Sequence, residues 1–232
     1  MKEQFHRFSF IFALLAFAFS SCQPDKGDLT VGNEKRLPRS TPEAQGISSY
    51  AILTLLDEIE KSGIEFHSIM IVKNDRVVAE GWWQPYKPEF IHTLYSLSKS
   101  FTSTAVGFAV EDGIISLGDK VISFFPEDLP DNVDAKLSSM EIRHLLTMST
   151  GHERETIPGM FQDPDGDWPR GFLSQKLTWE PGEQFMYNTG ATYMLSAILQ
   201  SQTGMTLLEY LKLRLFEHLG IEGWTGRKTR KV

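Results

Sequence analysis

The chain contains one cysteine, Cys22, in 232 residues. A lone thiol excludes an internal disulfide framework. The six histidines are scattered and form no Cys/His cluster with zinc spacing, so no metal site and no cofactor is expected. A basic surface is also lacking. The formal net charge is −7 and the pI about 5.4, which argues against a nucleic-acid partner. The apolar run from Phe8 to Phe19 is too short to span a bilayer. No internal repeat is visible. What remains is an ordinary globular mixture, 41% hydrophobic, 23% charged and 12% aromatic. That content suffices for the core of one large domain or two small ones.

The first segment reads as an address. Lys2 and Arg7 precede the apolar run, which is the pattern of a secretory signal peptide. Ser20 and Ser21 stand directly before Cys22, as at a bacterial lipoprotein cleavage site. We expect residues 1–21 to be removed as a signal peptide, and Cys22 to carry a lipid that anchors the protein to a membrane. Residues 22–40 are polar, with Gly27, Gly32 and Pro38, and read as a tether. The expected location is the bacterial cell envelope. A plain signal peptide with a periplasmic or secreted product is the alternative.

After residue 40 the pattern becomes that of a folded domain. Thr41-Pro42 opens a helical period carried by Ile47, Ile52, Leu55, Leu56 and Ile59 and closed by Gly63. His67–Lys73 and Arg76–Trp83 are short, β-branched or aromatic segments around Asn74-Asp75, which predicts a hairpin. A helix is predicted from Tyr95 to Val110, ending at Asp112-Gly113. Ser138 three residues before Glu141 predicts a capped helix running through Met148. Glu153 to Gly171 is rich in Gly, Pro and Asp and reads as one long irregular loop. Two further helices are expected over Thr189–Gln202 and Thr206–Leu219, divided by Gly204. The order is helix, hairpin, then mostly helices, which is α+β and not a βαβ series.

The chemistry begins at Ser96-Leu97-Ser98-Lys99. Residues three apart share a helix face, so a hydroxyl and an amine can meet there. A serine becomes a useful nucleophile only when a base takes its proton. With 20 serines and 13 lysines, about one Ser-x-x-Lys spacing arises by chance, so specificity must come from context. The context is a helix start directly after a hairpin, where backbone N–H groups and a positive dipole end favour developing negative charge.

These residues sit in longer blocks. Tyr95 to Thr104, followed by Glu111 to Lys120, resembles the serine β-lactamase-like hydrolases. That family includes class C β-lactamases, DD-peptidases, related esterases and aminohexanoate-dimer hydrolases. Met140 to Gly151 resembles the family's next helix, and Trp179 to Gly190 its tyrosine-bearing loop. Leu219-Gly-Ile221 is similar to a later block, with His218 in place of a proline. The resemblance covers Pro42 to Gly223.

The resemblance implies a β-lactamase/DD-peptidase-like fold, with an antiparallel sheet flanked by helices plus a mostly helical region. On it, residues 41–100 form the α/β part, 101–205 the helical part and 206–223 the return helix. It implies Ser96 as nucleophile, Lys99 as its base, Tyr187 as partner in proton transfer, and the Ser96 amide as half of an oxyanion hole. Thr189 stands where the family has a substrate-orienting asparagine. Asn188, Thr189 and the loop residue Trp168 are the expected substrate contacts. The family's third motif, on a late strand, has no counterpart here. Residues 224–232 read as an aberrant basic tail, with the C-terminal strands and final helix absent and the hairpin edge unpaired. The expected function is a serine hydrolase that forms an acyl-enzyme on an amide, ester or β-lactam, in a small-molecule or peptide substrate. A non-catalytic envelope lipoprotein that binds a ligand or partner without turnover is the alternative.

Overall fold

A computed structural model of the chain describes residues 37–226. The expected signal peptide, Cys22, most of the tether and the last six residues of the tail lie outside the described residues.

Helix α1 spans Ser49–Ser62 and ends at Gly63, whose φ of 68° reverses the chain. Strand β1 (Ser68–Lys73) and strand β2 (Arg76–Trp82) pair antiparallel, from Ser68 opposite Trp82 to Lys73 opposite Arg76. Asn74 and Asp75 both take positive φ, 50° and 59°, as a two-residue turn between twisted strands requires. Among the described residues the sheet has these two strands. Residues 38–40, the end of the expected tether, are docked on β2. Val77 N donates to Pro38 O at 2.8 Å, and Ser40 N to Val77 O at 3.1 Å. Arg39 also pairs with Glu80.

The hydrophobic core lies in the helical part. Helix α2 (Ser98–Glu111) buries Thr102, Ala105, Val106 and Ala109. Helix α7 (Thr189–Thr203) packs beside it and buries Met194, Leu195, Ile198 and Leu199. Met140, Ile142, Leu145, Met160, Phe172, Leu211 and Phe216 complete the cluster. Each such side chain contributes about 1.5–3 kcal/mol by leaving water. The hairpin and α1 contribute only Ile59, Val77 and Val78 as buried apolar residues, and these lie outside that cluster.

Several predicted elements differ in detail. The first helix begins at Ser49 because a 3-10 turn over Glu43–Gln45 ends at Gly46 with φ 72°. The capping box at Ser138 is not formed. Helix α3 (Ala135–Ser139) is capped by the Asp134 carboxylate, which accepts from Leu137 N at 2.8 Å. Met140 is extended, and Glu141 then caps helix α4 (Ile142–Leu146) with His144 closing the box. Burial of Met140 and the bridge between Lys120 and Glu141 break the predicted helix into two. The Glu153–Gly171 stretch is not one irregular loop. It holds helix α5 (Ile157–Met160) and the start of helix α6 (Trp168–Leu173), both with proline in the first turn, where its missing N–H costs nothing. The return helix has a true capping box, Thr206 with Glu209. It runs as α8 (Leu207–Leu211), a π-helical turn over Lys212–Phe216, and α9 (Glu217–Leu219). No helix among the described residues is long and apolar enough to cross a membrane.

Candidate active site

Two long helices start at the same place. Ser96 stands two residues before α2, and Tyr187 two residues before α7. Helix packing of α2 on α7 therefore brings together residues 91 apart in sequence. Tyr187 Oη donates to Ser96 Oγ at 2.7 Å, and Lys99 Nζ donates to the same oxygen at 3.2 Å. Lys99 Nζ also lies 5.1 Å from the centre of the Tyr187 ring. The three side chains expected to share chemistry thus converge on one oxygen.

The backbone at Ser96 differs from a plain helix start. Tyr95 has φ 46°, a left-handed conformation that is costly for a residue with a Cβ. It breaks the predicted Tyr95–Val110 helix, so Ser96 sits in a 3-10 turn, Tyr95–Leu97, and Lys99 in the first turn of α2. Local strain of this kind clusters at functional sites because surrounding structure must hold it. The site faces solvent, with Tyr187 46% exposed. The hydrogen bond to Ser96 and the neighbouring Lys99 ammonium hold the Tyr187 hydroxyl below the ordinary phenol range, against partial burial and the Glu155 charge. A depressed phenol is a better proton acceptor near neutral pH.

The expected substrate contacts fare differently. Asn188 is fully buried. Its carboxamide oxygen accepts from Ala191 N at 3.2 Å and from Thr156 Oγ1 at 2.7 Å, while its nitrogen points to Thr150 Oγ1 at 3.5 Å. It is the N-cap of α7, because a helix start needs an acceptor for its free N–H groups. Thr189 is half-buried, and its backbone N–H is taken by Glu155 at 2.8 Å. Trp168 is half-buried between Phe161 and Tyr193, with ring centres 5.0 and 5.1 Å away, and packs on the core. An apolar groove of about 240 Å³ lies elsewhere, between α1 and the hairpin, against Ile52, Leu56, Ile69, Ile71 and Trp82.

Sequence reasoning did not single out the residues that support Tyr187. Met148, Ser149 and Gly151 carbonyls accept from the backbone of the 178–186 segment that leads into it. Thr150, His152, Thr156 and Asn188 form a buried polar chain beneath it. His152 Nδ1 lies 2.9 Å from Thr150 Oγ1, and its Nε2 is buried without a hydrogen-bond partner. Desolvation pushes the His152 imidazole down to about 4. Gly190 is required by close approach, since a Cβ there would meet Thr156 Oγ1 at 2.0 Å. No local signature marks these residues. The prior signal was that most of them lie within or beside two recognisable blocks, Met140–Gly151 and Trp179–Gly190, and Asn188 was noted there for another role. Among the described residues no group of three His, Cys, Asp or Glu side chains is placed to hold a metal ion.

Residues 55–229 match the family described as Beta-lactamase, and the chain belongs to that family. It is 26% identical over 169 residues to a lovastatin esterase of Penicillium rubens, covering 63% of this chain and 42% of the esterase. It is 24% identical over 180 residues to a beta-lactamase of Yersinia enterocolitica, covering 78% and 42% of the two chains. Among solved structures, a beta-lactamase/D-alanine carboxypeptidase from Pseudomonas syringae superposes with TM-score 0.62 at 22% identity, over 76% of this chain and 50% of that one. A protein described as a 6-aminohexanoate-dimer hydrolase, from Bacillus anthracis, superposes with TM-score 0.56 at 23% identity, over 69% and 46%. The fold is thus the β-lactamase/DD-peptidase fold. The chain spans roughly two fifths to one half of the length of these relatives.

Proposed function

We propose that the chain carries the catalytic serine, lysine and tyrosine of a hydrolase that works through an acyl-enzyme at Ser96. The observation that carries this reading is the convergence of Lys99 Nζ and Tyr187 Oη on Ser96 Oγ. When Oγ attacks a carbonyl, a bond from Oγ to carbon forms and the seryl proton must leave. Lys99 or Tyr187, whichever is unprotonated, lies within reach to take it. The tetrahedral intermediate then expels the leaving group, which receives that proton through the same pair. Water hydrolyses the resulting ester and restores Ser96. The Ser96 N–H contributes to stabilising the oxyanion.

The substrate class is an amide, an ester or a β-lactam, in a small molecule or peptide. The relatives include an esterase and a beta-lactamase, which supports this range. The Lys2/Arg7 leader and Ser20-Ser21-Cys22 support a lipid-anchored protein of the bacterial envelope. The test is covalent labelling of residues 23–232 with a fluorophosphonate and, separately, a fluorescent penicillin. Labelling by the fluorophosphonate should vanish in Ser96→Ala, and penicillin labelling would narrow the substrate to the β-lactam class. A folded, unlabelled wild type would support the non-catalytic alternative.

A further inference from the structure

Glu155 lies outside the reacting trio, yet its carboxylate is unusually occupied. Oε1 accepts from Thr156 N at 2.9 Å, Ile157 N at 3.2 Å, Thr189 N at 3.0 Å and Gly190 N at 3.2 Å. Oε2 accepts from Thr189 N at 2.8 Å. The first two donors belong to the residues entering α5, and the last two open α7 directly after Tyr187-Asn188. One side chain therefore fastens two segments 34 residues apart at the point where the tyrosine leaves the helix. Its neighbour Thr156 fastens the same turn from below, through Asn188 Oδ1. Burial alone would raise the Glu155 carboxyl, but the backbone N–H groups of Thr189, Ile157 and Gly190 outweigh it and hold the group below the ordinary carboxylate range. The anchor is thus a charged one at neutral pH.

We propose that Glu155 is a positioning residue for the reaction. By clamping the Thr189 and Gly190 amides it holds the Tyr187 hydroxyl on Ser96 Oγ. The inference rests on the proposed acyl-enzyme chemistry for its purpose, but its geometry can be read without turnover. Nearly half the Tyr187 surface faces water, so packing alone does not fix its side chain and the backbone anchor beside it matters. Charge and clamp separate by substitution. Glu155→Gln can keep the four bonds to Oε1 while removing the charge. Glu155→Ala removes the clamp.

The experiment follows the Tyr187 ring by 13C-tyrosine NMR, assigned with Tyr187→Phe, in wild type, Glu155→Gln and Glu155→Ala. The pH dependence of fluorophosphonate labelling is measured alongside. In Glu155→Gln the Tyr187 titration should move to lower pH, by roughly half a unit, and the matching inflexion in the labelling profile should move with it. In Glu155→Ala the labelling rate should fall tenfold or more, with the Tyr187 resonance no longer sensitive to Ser96→Ala. Should Glu155→Ala fail to fold, Glu155→Asp, which keeps the charge on a shorter arm, should titrate near wild type and carries the comparison. A Tyr187 resonance in Glu155→Ala that is as sensitive to Ser96→Ala as in wild type, with an unchanged labelling rate, overturns the proposal. Absence of labelling in wild type, with the Ser96 sensitivity of Tyr187 lost in Glu155→Ala, would overturn the hydrolase reading and leave the clamp standing.

Discussion

Lowering the pH should destabilise this protein through His152. The imidazole is almost wholly buried, its ring 4.8 Å from that of Phe172, with one nitrogen against Thr150 and the other without a partner. Adding a proton there places a charge in an apolar setting, which is why burial depresses the group from 6.5 to about 4. An unfolded histidine has a pKa near 6.5. Between these values the unfolded state binds more protons than the folded one, so stability rises with pH across the window. The contribution is complete above pH 6.5 and is lost as pH falls toward 4. Linkage from these two values gives a loss of about 2 kcal/mol between pH 7.5 and pH 5, and about 3 kcal/mol by pH 4. That is a large share of a typical total of about 5–15 kcal/mol. The assay is urea unfolding followed by tryptophan fluorescence at half-unit pH steps, with His152→Asn beside the wild type. The variant should start less stable but lose less on acidification, flattening the profile between pH 6.5 and 4. Equal pH slopes in the two proteins would refute the reasoning.

Three further outcomes follow from the same site. Gly190→Ala should cost about 1–3 kcal/mol, because a Cβ would press on Thr156 Oγ1 and Met160 Sδ; an unchanged urea midpoint would contradict the close approach. Asn188→Ala should cost about 2–4 kcal/mol by removing the α7 cap and stranding Thr156, with thermal unfolding as the readout. Tyr187→Phe should slow fluorophosphonate labelling by about 10²–10⁴ while leaving the melting temperature within a few degrees, since the ring is half exposed; equal labelling rates would remove Tyr187 from proton transfer.

Much of the local structure was legible. The hairpin follows from two β-branched segments and Asn74-Asp75, and its turn residues take the positive φ angles such turns need. The Ser96–Lys99 contact follows from a spacing of three at a helix start. The helices over Ser49–Ser62, Ser98–Glu111 and Thr189–Thr203 follow from apolar period and terminal glycines or caps. The failures have a shared cause. Ser138 and Glu141 have the sequence of a capping box, but burial of Met140 makes the chain extended between them. Trp168 looks like a loop residue, but Pro169 and the Asp167 cap start a helix there, and two aromatic neighbours enclose the indole.

By itself the sequence determined most of the elements and set Ser96 and Lys99 within reach of each other, because turn chemistry, capping and helical spacing act over a few residues. Its longer blocks also carried the family resemblance that named Tyr187. Only the tertiary structure decided that Tyr187 reaches Ser96, that Asn188 caps a helix from a buried position, and that Glu155 ties down the turn beside them. Those contacts depend on how α2 packs against α7 and on which polar groups must satisfy a helix start once water is excluded. Neither is set by any short window of sequence.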